Sequence, residues 1–147
     1  MKRLLTALTL VAVFAAASFA GVQDFGAFTV DVPEGWTGSQ QGPTAIITKN
    51  DNTASLSITV DATQGYSAAD LAAAFVENFK NSGSFASVGT PEADSDGAYS
   101  WEMTNKQGVN SKSILTVDEK NYVLFVATGI ENAPDDFGAM LGSVKSK

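Results

Sequence analysis

The chain contains no cysteine and no histidine among its 147 residues. The first absence excludes disulfides, thiol nucleophiles and thiolate metal ligands. The second excludes an imidazole base and imidazole ligands. Ser-His-Asp hydrolases, cysteine proteases and nearly all zinc enzymes go with them, and acid–base work is left to carboxylates, Lys, Tyr and hydroxyls. Basic residues are scarce too: 9 Lys and Arg stand against 16 Asp and Glu, a net charge of −7. Phosphate backbones are held by clustered Lys and Arg, so no nucleic-acid partner is expected, and an anionic membrane surface is disfavoured. No GxGxxG or phosphate-loop spacing occurs, although Gly35, Gly38 and Gly42 lie in one Gln/Ser-rich stretch. No cofactor and no bound metal are expected.

What is present starts at the amino terminus. Lys2 and Arg3 precede an Ala- and Leu-rich apolar run, Leu4 to Ala17, broken only by Thr6 and Thr9. Ser18-Phe19-Ala20 places small residues at the two positions a signal peptidase inspects. The pattern predicts a secretory signal peptide over residues 1–20, cleaved before Gly21. The run is shorter than the roughly 20 residues that span a bilayer. With no cysteine to carry a lipid, no stable membrane anchor is expected after cleavage. The expected location is the bacterial periplasm, or the medium. Removing 20 of 147 residues leaves 127, one globular domain over 21–147. A domain of that size buries about two-thirds of its unfolded surface. Losing Lys2 and Arg3 leaves 7 basic residues against 16 acids, a net charge near −9.

Periodicity gives the layout of that domain. Phe28, Val30 and Val32 alternate with Thr29 and Asp31, and Pro33-Glu34-Gly35-Trp36 turns the chain. A strand over 44–49 and another around Leu56, Ile58 and Val60 flank the turn Asn50-Asp51-Asn52 and predict a hairpin. Ser67 caps a helix whose face is Ala68, Leu71, Ala72, Phe75 and Phe79, with Asp70 at its positive end and Gly83 as its stop. Strands follow at 85–88, at Tyr99, Trp101 and Met103, and at 109–117. The stretch 122–127 is apolar on both sides and predicts a central strand covered on both faces. A last helix is expected with Asn132 as its cap, Pro134 in its first turn, and Phe137, Met140, Leu141 and Val144 as its stripe. Lys145 is placed at its negative end. Gly138 and Gly142 weaken it by about 1 kcal/mol each relative to Ala. The fold class is α+β, an antiparallel sheet with helices on both faces.

The opening Phe28-Thr29-Val30-Asp31-Val32-Pro33-Glu34-Gly35-Trp36 resembles the start of PsbP-like and Mog1-like domains, where an aromatic strand runs into a Pro-x-Gly-Trp type turn. The strand ending in Thr128-Gly129 and the terminal helix near Met140-Leu141-Gly142-Ser143-Val144 agree in order. The resemblance implies an α/β/α sandwich around an antiparallel sheet. It also implies a non-enzymatic binding or assembly protein, nearest to the exported bacterial members of unknown role. In that motif Trp36 packs, and Pro33 and Gly35 set a turn.

Two motifs suggest chemistry and fall to geometry. Ser111-Lys112-Ser113 is the only close Ser/Lys pairing, but neighbours on a strand point to opposite faces. Asp94-x-Asp96-Gly97 lacks the closing Glu of a calcium loop and reads as a turn. Catalytic residues are therefore expected to be absent. A ligand or partner surface is expected at Trp36 and Tyr66, beside a long loop over 36–43. The leading reading is a non-catalytic exported module that binds an envelope protein or a small ligand. The alternatives are a small carboxylate-based hydrolase acting on envelope glycans and a structural envelope component.

Overall fold

The computed structural model describes residues 20–147, so the leader expected over residues 1–20 lies outside the described residues except for Ala20. The elements run β1 (Gly21–Asp24), β2 (Phe28–Val32), β3 (Trp36–Gln41), β4 (Thr44–Lys49), β5 (Ser55–Ala62), α1 (Ala68–Asn81) and β6 (Phe85–Val88). They continue with β7 (Glu92–Ala93), β8 (Tyr99–Asn105), β9 (Asn110–Val117), β10 (Asn121–Thr128), a 3-10 turn at Ile130–Asn132, α2 (Pro134–Ser143) and β11 (Lys145–Ser146).

The large sheet is antiparallel, in the order β3-β4-β5-β10-β9-β8-β6, with β7 also pairing β8. A three-stranded sheet, β1-β2-β11, lies with α2 on one face of it, and α1 lies on the other. This is the expected α+β class with helices on both faces.

β10 sits mid-sheet, and its side chains alternate between two cores. Val123, Phe125 and Ala127 join Phe28, Val32, Trp36, Ile47, Leu56, Phe137 and Met140 under α2 and the small sheet. Tyr122, Leu124 and Val126 join Ala72, Val76, Trp101, Met103 and Leu115 under α1. That is why residues 122–127 carry no polar side. Burying one such aliphatic or aromatic side chain contributes about 1.5–3 kcal/mol.

Local signals place α1. Ser67 Oγ accepts from the Asp70 amide at 3.1 Å, and the cap N–H of Ser82 donates to Asn78 O. Gly83 follows with φ +72°. At the other helix the expected cap is corrected. Ala133 occupies the cap position with no side-chain bond, and Asn132 Nδ2 instead donates to Thr53 O at 2.9 Å. Asn132 is drawn there because Gly129 turns the chain in the left-handed region, φ +71°, so close to the hairpin that a Cβ would lie 2.2 Å from Thr53 O.

Three further features differ from expectation. Residues 36–41 are the edge strand β3, not a loop; its outer residues Ser39, Gln40 and Gln41 are exposed, which erases the alternation a sequence would show. β1 was not visible in the sequence because its pairing with β2 is a backbone ladder, Gly21 opposite Val32 through Asp24 opposite Thr29. Lys145 does not complete α2 but pairs with Thr29 as part of β11.

Neither face of the large sheet is wholly covered. On the α1 face the hydroxyls of Thr37, Thr48, Ser55, Thr128 and Ser111 form one cross-strand row over β3, β4, β5, β10 and β9. On the α2 face the outward residues of β8 and β9 stand beyond the helix. Glu102, Lys112 and Thr116 are exposed there, and Ser100 and Ile114 are half-buried.

Candidate functional site

Trp36 does not present a surface, and the expectation that it forms one with Tyr66 is corrected. Its side chain is 0% exposed. The ring meets Phe137 edge-on at 5.4 Å, and Nε1 donates to Asp136 Oδ2 at 2.9 Å. The start of β3 is pulled inward because the indole is the largest side chain in that core, which agrees with the packing role the motif implies. Tyr66 is 59% exposed in the turn between β5 and α1, where its amide donates to Thr63 O.

The Ser/Lys triplet divides as strand geometry requires. Ser111 and Ser113 face α1, where Ser111 Oγ shares a 2.8 Å hydrogen bond with Thr128 Oγ1. Ser113 is fully buried opposite Trp101, and neither Ser113 Oγ nor Trp101 Nε1 has a protein partner. Lys112 lies on the opposite face. Asp94 is a turn residue: its Oδ1 accepts from the amides of Asp96 and Ala98 at 2.9 and 3.0 Å. Among the described residues no three acids are grouped to hold a metal.

The site that the fold does build lies beside α2, and it centres on Lys112. An apolar hollow of about 240 Å³ runs between the sheet and the helix, with Ile114, Phe125, Pro134, Gly138 and Leu141 among its walls and Lys112 at its edge. A second cavity of about 180 Å³ adjoins it at Lys112 and Ile130, lined also by Glu102, Thr104, Asn110, Ser111 and Glu131. A third, about 430 Å³, continues past Glu102 to Thr90, Glu92 and Ser100. Lys112 therefore borders all three. The hollow exists because α2 covers the β5–β10 side of this face and stops short of β9 and β8.

Sequence reasoning did not find this site, because its residues come from β8, β9, β10 and α2 and no local motif joins them. Two signals were available: Gly138 in the middle of a helix, beside Phe137 and three residues before Leu141, and Ile114 on the same side of its strand as Lys112 and Thr116.

Carboxylate perturbations lie elsewhere, in turns. Hydrogen bonds from Lys49 and then Thr53 hold Asp51 well below its ordinary range, and Lys147, then the Gly26 amide, lowers Asp24. The amides of Asn121 and Lys120 lower Asp118. Burial, and then Asp61, raises the Tyr122 phenol.

The arrangement of sheet and helices is a PsbP-like fold. The chain is similar to the cyanobacterial PsbP of Synechocystis, with a TM-score of 0.56, 13% identity, and coverage of 90% of this chain and 96% of that one. It is also similar to a protein from Bacteroides thetaiotaomicron, with a TM-score of 0.51, 14% identity and 88% of this chain covered. The match spans about half of that protein's chain, 49%. No protein-family model matches the chain, and no curated protein does. Among the described residues no helix is long and apolar enough to cross a membrane.

Proposed function

We propose that the chain is an exported, non-catalytic binding or protein-interaction module, working in the periplasm or outside the cell. Its ligand or partner meets the cleft beside α2. The observation that carries this reading is the make-up of that cleft: an apolar hollow joined to a polar rim, in which, among the described residues, no hydroxyl is hydrogen-bonded to Lys112. Ser111 lines the polar cavity with Lys112, but its Oγ is held by Thr128 Oγ1 at 2.8 Å rather than by Lys112, and Ser113 is buried under α1. The PsbP-like fold and the signal-peptide pattern support the same reading.

The carboxylate hydrolase is the second reading, favoured by Glu102 and Glu131 lining one cavity. Both residues are exposed, whereas a catalytic carboxylate pair flanks a bond held between its two members in a cleft. The test uses protein purified from cells expressing the full chain, assayed on glycan, ester, peptide and phosphate-ester substrates. No turnover is expected. Turnover that disappears in Glu102→Gln or Glu131→Gln would replace the module by the hydrolase.

A further inference from the structure

Gly138 is an unforced glycine. It lies in the middle of α2, where Gly costs about 1 kcal/mol relative to Ala. A Cβ built on it meets no atom within 4 Å. Packing therefore does not demand glycine there. Gly138 is exposed and lines the hollow with Ile114, Phe125 and Leu141, so a long side chain there stands at its mouth.

The charges at the mouth of that hollow are specific. Lys112 is the one ionisable residue that lines it. The ion pairs among the described residues are Lys49–Asp51 and Lys147–Asp24, so Lys112 holds no carboxylate. Glu102 is its cross-strand neighbour, and Glu131 shares the adjoining cavity with it. One cation thus stands at the edge of an apolar space of about 240 Å³, small against the roughly 300–1,000 Å³ of drug-sized sites, and two anions line the polar cavity that adjoins it.

We infer that this cleft binds a free apolar α-amino acid of leucine size as its zwitterion. The side chain fills the hollow kept open by Gly138, the carboxylate meets Lys112, and the ammonium meets the Glu102 and Glu131 side of the rim. A plain apolar acid would satisfy Lys112 but leave both glutamates facing an anion. A plain amine would leave Lys112 unmatched, and a dianion would be repelled. The inference rests on the binding-module reading and names its ligand class.

Calorimetry on the protein purified from cells expressing the full chain tests it with L-leucine, isocaproate, isoamylamine and L-aspartate. Leucine is expected to bind. Removing its amine or its carboxylate is expected to weaken binding about tenfold, the scale of one charged hydrogen bond. Aspartate is expected not to bind. Gly138→Leu obstructs the mouth of the hollow and is expected to weaken leucine about tenfold or more while the melting temperature does not fall. Isocaproate binding as well as leucine would overturn the assignment in favour of a simple carboxylate. Leucine affinity unchanged in Gly138→Leu would overturn the location. Absence of heat with all four compounds would overturn the ligand class and leave the non-catalytic module standing, since only turnover removes that. Sedimentation of the same samples adds one more outcome: a dimer dispersed by Gly138→Leu would give the cleft to a second copy of the chain and overturn the amino-acid assignment.

Discussion

Trp36 Nε1 donates to Asp136 Oδ2 at 2.9 Å, joining the first residue of β3 to the first turn of α2 across a hundred residues of sequence. The same carboxylate lies at the positive end of the helix dipole. One residue therefore satisfies a buried indole N–H and anchors the helix that walls the cleft. Asp136→Ala leaves that donor unpaired, and its expected cost is about 1–3 kcal/mol. Trp36→Ala is expected to cost about 3–5 kcal/mol, because it empties the centre of the core. Urea denaturation followed by far-UV circular dichroism measures both.

Two glycines are expected to respond in opposite directions. Gly129→Ala places a methyl against Thr53 O in a backbone region L-residues avoid. It is expected to destabilise by at least about 1–3 kcal/mol. Gly138→Ala enters open space on a regular helix. It is expected to stabilise by about 0.5–1 kcal/mol. Chemical denaturation of the pair against the parent checks the contrast; equal shifts in both would contradict it.

Acid stability follows from the turn carboxylates. Asp24, Asp51 and Asp118 all have folded-state pKa values below the ordinary 3.8. The stability they add is therefore present above that value and is lost as pH falls through the depressed ones. A urea midpoint measured in steps from neutral pH is expected to hold to about pH 5 and to fall below about pH 4. Because Asp24 relies on the exposed Lys147 and Asp51 on the half-buried Lys49, added salt weakens their share, the first more than the second. Asp118 relies on two backbone amides, so Asp118→Asn is expected to remove a share that salt leaves in place.

Export makes a mass prediction. Protein recovered from the periplasmic fraction or medium is expected to begin at Gly21. An intact mass that includes residues 1–20, or recovery only from the cytoplasm, would remove the exported part of the proposal.

Legibility in the sequence followed where the side chains point. The strand over 122–127 was readable because both of its faces are covered, so no polar residue interrupts Tyr122 to Ala127. Ser67 and Asp70 announced α1 because capping is local. β1 and β11 were not readable, since backbone pairing leaves no mark on side-chain order. Asn132 has the chemistry of a cap, but Thr53 O, seventy-nine residues away, claims its amide. The site was hidden for a similar reason. Lys112 looked like one exposed residue of a strand, and only the neighbouring edge of α2 makes it the rim of a hollow.

β10 has a consequence for how the molecule comes apart. Its odd-numbered side chains from Val123 hold one core, and its even-numbered ones from Tyr122 help hold the other. If β10 leaves the sheet, both cores lose a wall at the same moment. The two halves are thus tied through one strand, and unfolding is expected to be all-or-none, with neither helix melting separately in a circular-dichroism scan.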